Sequence, residues 1–360
     1  MQLASSSSLT HSQQADASSD NVRILIVGDL HFSSRSLPIL EVLQVRLLEQ
    51  ITTLKPDHVV FLGDTHDRFG QVNTTRDKEV VYFLHKISLL VPFTLLIGNH
   101  DIPNKTLFYS EDHAFNALKF YWKNTTIVDK CIRFTVKGLT FGAVAYCPNG
   151  RLHEGLKPVE PLEELAAVFC HQEIRGCLIN GIVSAGGDKW SRSMPTIFCG
   201  HIHDHHTPQA NVHYVGSPYQ DNFGEKEDKS ISLVTFSNEG KWKEKRIYLD
   251  LPKKIRLHMT AAEFWDWKPV SPNLYNLTVT CTSTRECQTV RESPEFKKMT
   301  VEGNRAEVIN TSQISEDNEE DVGVDHQIKI ERRSLKQIVA ESIARKPHLQ
   351  EIHNLVFGTQ

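Results

Sequence analysis

Five short blocks of this 360-residue chain carry carboxylates, imidazoles and one amide at close spacing. They are Gly28-Asp29-Leu30-His31, Gly63-Asp64, Gly98-Asn99-His100-Asp101, a lone His171, and Gly200-His201-Ile202-His203. These side chains are hard or borderline metal ligands. They suit Mn²⁺, Fe or Zn²⁺ in a catalytic site, and the lack of a thiolate among them disfavours a structural zinc. Asp29 and His31 alternate by two, as do His201 and His203, so a short extended segment and a turn can aim both members of a pair inward. Glycine before a ligand permits a tight turn and a close backbone approach. Two metals about 3.5–4 Å apart need a bridging carboxylate, and such a pair can clamp a phosphate and activate a water. Asp64 is the natural bridge because it leaves the central strand of the set. A solvated turn explains any one block alone. It does not explain all of them in this order, each after a buried apolar run.

Those runs are the elements that must position the ligands. Residues 22–28 (VRILIVG), 58–63 (HVVFLG) and 93–98 (FTLLIG) read as buried strands. Between them, residues 39–54 space Leu40, Leu43, Leu47, Leu48, Ile51 and Leu54 as an amphipathic helix does, and 76–90 predict a second helix. Strand–helix–strand order implies parallel pairing through right-handed crossovers. Ligands of a parallel sheet gather outside the carboxyl ends of its strands, so the blocks should converge. Two further buried strands, 165–170 and 196–199, run into His171 and His201. Residues 131–136, 139–146, 212–216, 231–236 and 242–248 read as shorter strands that would supply a second, mixed sheet.

The blocks GDLH, GDTHDR, GNHD, His171 and GHIH resemble the signature of the calcineurin-like metallophosphoesterases over about residues 22–240. The resemblance implies an α/β sandwich of two mixed β-sheets flanked by helices, holding two divalent ions. Mn²⁺ is the first choice, with Fe, Zn²⁺ or Mg²⁺ as alternatives. Asp29, His31, Asp64 and His203 would hold one ion; Asp64, Asn99, His171 and His201 would hold the other. His100 would protonate the leaving oxygen or stabilise the transition state, with Asp101 orienting it. The implied mechanism is direct attack of a metal-activated hydroxide on phosphorus. His66 is either a substrate contact or an exposed loop histidine. Asp67 and Arg68 match a frequent extension of the second block and are expected to form a supporting ion pair, with Arg68 also a candidate substrate contact. His205 and His206 are read as loop residues.

Within that family the chain most resembles the SbcD-type nucleases, the bacterial counterparts of the eukaryotic Mre-eleven break-repair nuclease. The residues that carry this are Gly216-Ser217-Pro218, with Ser217 a candidate substrate contact, and Phe223-Gly224-Glu225. The resemblance implies a DNA exo/endonuclease of a repair or recombination complex, with DNA and an SbcC-like ABC-type ATPase as partners and a homodimer left open. The alternative is a phosphodiesterase or phosphatase on a small molecule or phosphoprotein. A metal-free interaction module of the same fold is disfavoured because no ligand position is substituted.

The rest of the chain divides around this core. Residues 1–20 form a Ser/Gln-rich tail without Lys or Arg, expected to be disordered and unlike a signal or transit peptide. The catalytic domain is expected at 21–250. A boundary near Leu251-Pro252 leads to a small βαβ capping domain at 251–312, with strands at 274–280 and 306–310 around one helix at 283–298. An acidic linker at 313–326 and a helical segment at 327–360, a candidate docking element, follow. The net charge of −4 advertises no global basic field. Seven cysteines without a CxxC pair read as buried hydrophobes in a reducing, intracellular compartment. The best apolar stretch, 80–98, is broken by His85, Lys86 and Pro92, so no membrane span is expected.

Overall fold

The computed structural model describes residues 21–33, 37–67, 69, 73–300 and 303–311. The expected tail, acidic linker and C-terminal helical segment lie outside the described residues, as does Arg68.

The chain begins β1 (Val22–Val27), α1 (Leu37–Leu54), β2 (His58–Phe61), α2 (Thr74–Ser88), β3 (Phe93–Leu96) and β4 (Thr125–Val128). The four strands pair in parallel in chain order. Each is apolar on both faces because both are covered. Leu25, Val27, Val59, Phe61 and Leu95 pack under Leu40, Leu43, Leu47, Phe83 and Leu84 of the helices. Ile24, Ile26, Val60 and Leu96 face the second sheet. Each fully buried Leu or Phe here contributes about 2 kcal/mol of transfer free energy. Asn73 starts α2 by accepting the Arg76 N–H at 3.0 Å.

Then come β5 (Cys131–Val136), β6 (Leu139–Val144), α3 (Leu152–Leu156), β7 (Val168–His171), the hairpin β8 (Leu178–Ile179) and β9 (Ile182–Val183), β10 (Ile197–Gly200), β11 (His206–Gln209) and β12 (Val212–Tyr214). Hairpin aside, they build a second sheet ordered β11-β12-β10-β7-β6-β5, mixed as expected. Phe141, Phe169 and Phe198 fill the space between the two sheets, with Ile24 and Ile26 opposite.

The last two strands of the core go elsewhere than expected. Both β13 (Ile231–Phe236) and β14 (Trp242–Ile247) join the first sheet, β13 lying antiparallel to β1. Buried on both faces, β1 needs a neighbour for its free backbone edge, and β13, also almost wholly buried, supplies it. The first sheet is therefore mixed as well.

The small C-terminal sheet has three parallel strands, not two: β15 (Lys254–Thr260), β16 (Leu274–Cys281) and β17 (Arg305–Asn310). The strand β15, read as boundary, alternates Ile255, Leu257 and Met259 inward with Arg256 and His258 outward. It is followed by α4 (Ala261–Asp266), capped reciprocally by Thr260 and Glu263. The single helix expected at 283–298 is two, α5 (Thr284–Glu292) and α6 (Pro294–Lys298). Pro294 has no N–H to continue α5, so Ser293 ends one helix and caps the next. Leu277, Val279, Val290 and Phe296 form the core of this part. It belongs to the same compact unit as the two large sheets, to which Gln220 ties Lys254 through two main-chain hydrogen bonds of 2.8 and 3.0 Å.

Candidate metal centre

The carboxyl ends of β1, β2, β3, β7 and β10 bring the expected ligands together. Asp29, His31 and His203 form one cluster, and Asp64, His171 and His201 a second. His31 Nε2 lies 3.0 Å from His203 Nε2. His171 Nε2 lies 3.1 Å from Asp64 Oδ2 and 3.0 Å from Asn99 Oδ1. His31 Nε2 stands 3.7 Å from Asp64 Oδ2, so Asp64 lies between the two groups.

The turns that make this possible are strained. His31, Asp64 and His201 all adopt positive φ, at 40°, 49° and 79°. Such conformations cost about 1–3 kcal/mol each and persist where the surroundings over-determine them. Here the surroundings are the other loops. The N–H groups of Leu30 and His31 donate to the Asp64 carbonyl at 3.1 and 2.9 Å. The N–H of His100 donates to Asp64 Oδ1 at 2.8 Å, and that of His201 to Asp29 Oδ1 at 2.9 Å. Gly98 is required by proximity: a Cβ there would sit 2.2 Å from Asp64 Oδ1.

Partners on the far ring nitrogens set which nitrogen faces the centre. His171 Nδ1 donates to the Leu62 carbonyl at 2.9 Å, and His203 Nδ1 to Glu225 Oε1 at 2.8 Å. Each leaves Nε2 to point inward, the arrangement that orients metal-binding imidazoles. Lys229, nearly buried, grips Glu225 Oε2 at 2.8 Å and the His203 carbonyl at 2.8 Å. Neither role is legible in the sequence, where both residues sit in a polar loop.

Burial lowers the pKa of His31 and of His201 to about 4, so both are neutral at pH 7 with a lone pair to give. Burial opposes charge on His171 and His203 too. Asp64 nevertheless raises His171 to about 10, and Glu225 with Asp29 raises His203 to about 9. Burial likewise works against the charge of Asp64, yet the His171 imidazole holds that carboxyl well below the usual carboxylate range. The carboxylates thus draw positive charge onto the neighbouring imidazoles, charge that a bound cation would supply in place of those protons. Asp29 Oδ2 and His31 Nδ1 are buried without a hydrogen-bond partner among the described residues. A carboxylate oxygen left in that state, amid convergent imidazoles, fits a divalent cation. Asp29, His31 and His203, and Asp64, Asn99, His171 and His201, are the residues that would hold one.

The remaining predicted residues fall into different places. His100 stands at the rim, its ring 4.9 Å from that of His31. Asp101 does not touch it. His100 Nδ1 donates instead to the Asp67 carbonyl at 2.6 Å, which leaves Nε2 free. Asp101 is buried and accepts the N–H groups of Gly98, His66 and Thr65 at 2.9, 2.9 and 3.3 Å. Burial, then the Asp64 charge, raise its pKa to about 6. His66 is not an exposed loop residue: it is 4% exposed and stacked on Phe115 at 4.8 Å. Ser217 is turned inward, its hydroxyl donating to the Tyr219 carbonyl at 2.8 Å. His205 pairs with Glu244 at 3.1 Å, away from the centre. Tyr146, not singled out by sequence, stands beside His171 and His201. Burial raises its pKa above the ordinary tyrosine value.

Comparison with known proteins agrees with this geometry. Residues 22–234 match the family model described as calcineurin-like phosphoesterase. The chain is 37% identical over 251 residues to "Putative phosphoesterase 244L" of Invertebrate iridescent virus 6, a match spanning 68% of this chain and 88% of that protein. It is 34% identical over 247 residues to "Putative phosphoesterase 078R" of Invertebrate iridescent virus 3, spanning 68% of this chain and 71% of the other. Carboxylates and imidazoles gathered at the strand ends of an α/β sandwich, together with these matches over most of that sandwich, place the chain in the calcineurin-like phosphoesterase family of metal-dependent hydrolases.

Proposed function

We propose that this chain is a two-metal phosphodiesterase acting on DNA, with Mn²⁺ in its centre, as the nuclease subunit of a repair or recombination complex. Two divalent ions at such a site neutralise phosphate oxygens and acidify a water. The protein's own part is positional. Asp64 sits between the two ligand groups, Leu62 and Glu225 aim the imidazoles, and His100 commits Nδ1–H to the Asp67 carbonyl, so that as the imidazolium it can give the Nε2 proton to a leaving oxygen and remain a neutral imidazole.

One observation carries the choice of a polymer substrate. Arg256, Asn276 and Arg305 lie side by side across the small sheet, on the face opposite its helices. The Arg305 guanidinium is 5.7 Å from the Phe223 ring, and a Cβ built on Gly224 would lie 3.9 Å from Arg256 Nη2. Phe223 and Gly224 directly precede Glu225, which holds His203. Two exposed guanidiniums thus stand beside the segment that carries Glu225, and in this reading they bind phosphates flanking the one being cut. A mononucleotide or a phosphoprotein side chain has no need of them. The acidic net charge of −4 favours the second reading, a phosphodiesterase on small molecules. An SbcC-like ATPase partner belongs to the proposal, and its expected docking segment lies outside the described residues.

The test is Mn²⁺-dependent degradation of linear duplex DNA beside hydrolysis of bis-p-nitrophenyl phosphate. The expected result is cleavage of both, loss of both in Asp64→Asn, and loss of DNA cleavage alone in the Arg256→Ala/Arg305→Ala double variant. Cleavage of the small diester with intact DNA, even with added ATPase partner, would replace the nuclease reading with the second one.

A further inference from the structure

Tyrosine hydroxyls buried in proteins find a hydrogen-bond partner, since an unpaired one costs about 1–3 kcal/mol. Four of the five partly or fully buried tyrosines of this chain pair their hydroxyls with a main-chain carbonyl. Tyr109 donates to the Gly155 carbonyl at 2.7 Å, Tyr214 to that of Gln172 at 2.9 Å, Tyr219 to that of Leu30 at 2.8 Å, and Tyr275 to that of Val270 at 3.3 Å. Tyr146 is 8% exposed, and its hydroxyl, which is not fully enclosed, makes no hydrogen bond among the described residues and is open to a ligand.

Its position is held from two sides. Tyr146 lies two residues past β6, at the ligand-bearing end of the second sheet. Its N–H donates to the Ile97 carbonyl at 2.9 Å, and the Ala145 N–H to the Lys130 carbonyl at 2.8 Å. Ile97 directly precedes Gly98-Asn99-His100, so the strand that carries Tyr146 is tied to the loop that carries Asn99. The ring packs in the apolar cluster beneath the centre. It stands edge-on to His171 at 6.2 Å and tilted to His201 at 6.3 Å. An unpaired donor is thus fixed beside two of the three residues in the Asp64–His171–His201 group.

We propose that Tyr146 is a catalytic residue, its hydroxyl donating a hydrogen bond to a non-bridging oxygen of the phosphoryl group bound at the Asp64–His171–His201 side. A phosphoryl group approaching pentacoordination gathers charge on those oxygens, and a donor already in place stabilises it without reorganisation. The carboxylates Asp29 and Asp64 supply only acceptors from their side chains, so the Tyr146 hydroxyl adds a neutral donor that they cannot. This rests on the phosphoesterase reading but not on DNA as the substrate.

Tyr146→Phe tests it, because the ring and its packing stay. Three measurements are made on Mn²⁺-loaded wild type and variant: kcat on bis-p-nitrophenyl phosphate, orthophosphate affinity by calorimetry, and thermal midpoint with Mn²⁺ affinity. The expected result is a fall in kcat of about tenfold to hundredfold, in the range for loss of one oxyanion donor. Orthophosphate should bind at least about fivefold more weakly, the free-energy equivalent of roughly 1 kcal/mol. KM, thermal midpoint and Mn²⁺ affinity should hold. Equal kcat and equal orthophosphate affinity would overturn the assignment. So would a loss of kcat that comes with weaker Mn²⁺ binding or a lower midpoint, which marks a packing role. If wild type cleaves no diester yet binds orthophosphate more tightly than the variant, the Tyr146 contact to a phosphoryl oxygen stands while its catalytic role and the phosphodiesterase reading fall.

Discussion

His203 and Glu225 form a hydrogen-bonded pair, Nδ1 to Oε1 at 2.8 Å, that joins a candidate metal ligand to a carboxylate 22 positions along the chain. Burial opposes the charge on Glu225, but His203 and then Lys229 pull its pKa down to about 2, so it is ionised at working pH. The carboxylate fixes the ring and raises its basicity. Glu225→Ala should weaken divalent-metal affinity about tenfold to hundredfold, while Glu225→Gln, which can still accept from Nδ1, should lose less. Calorimetric titration of the two variants with Mn²⁺ checks this; equal affinities would mean the pair is incidental.

Asp101 is the acceptor for three main-chain N–H groups, from Gly98, His66 and Thr65. Asp101→Ala leaves those buried donors unpaired and should cost about 3 kcal/mol or more of stability. The Gly98–His100 turn would loosen with them, so activity should fall further than the loss of fold alone explains. Denaturant midpoints beside kcat per folded molecule separate the two effects.

His100 donates Nδ1–H to the Asp67 carbonyl and holds Nε2 open at the rim. His100→Ala should lower kcat about a hundredfold or more on an unactivated diester. On a diester with a good leaving group the loss should be smaller, because less proton donation is needed. A loss of the same size on both would argue against a general-acid role.

Acid stability offers a prediction away from the centre. His58 is buried on β2, with Nε2 2.9 Å from Thr94 Oγ1, and burial lowers its pKa to about 4. A histidine held neutral in the fold contributes full stability above its unfolded value of 6.5. That contribution is lost as the unfolded chain takes up the proton between pH 6.5 and 4. Going from pH 7 to pH 5, wild type should lose about 2 kcal/mol more than His58→Gln, which keeps a partner for Thr94 but does not titrate. Urea midpoints at the two pH values measure it, and parallel losses would refute it.

Much of the first sheet and the ligand loops can be read from local pattern. Leu40, Leu43, Leu47 and Ile51 repeat at helical spacing and lie on the buried face of α1. Asp29, His31, Asp64, Asn99, His171, His201 and His203 each follow an apolar strand, and the structure gathers all of them. Local pattern fails where an alternation names a strand but not its neighbour. The stretch 231–236 was expected in the second sheet, and it pairs with β1 in the first. The alternation of Ile255, Leu257 and Met259 sits next to the turn signals around Pro252, which locally point to a boundary, although it is the edge of the small sheet.

The sequence by itself determined which residues are the candidate metal ligands, because ligand chemistry and the glycine-led turns at strand ends are properties of a few consecutive residues. Only the tertiary structure decided how those residues are served. Whether His100 is oriented by Asp101 or by the Asp67 carbonyl, whether His66 faces solvent or Phe115, and which tyrosine hydroxyl is left unpaired are contacts between distant segments. Hydrogen bonds and packing act over a few ångströms in space, with no regard to separation along the chain. Tyr146 reaches His171 only once β6 and β7 have paired within the second sheet, and Glu225 reaches His203 only once the segment after β12 folds back on the one after β10.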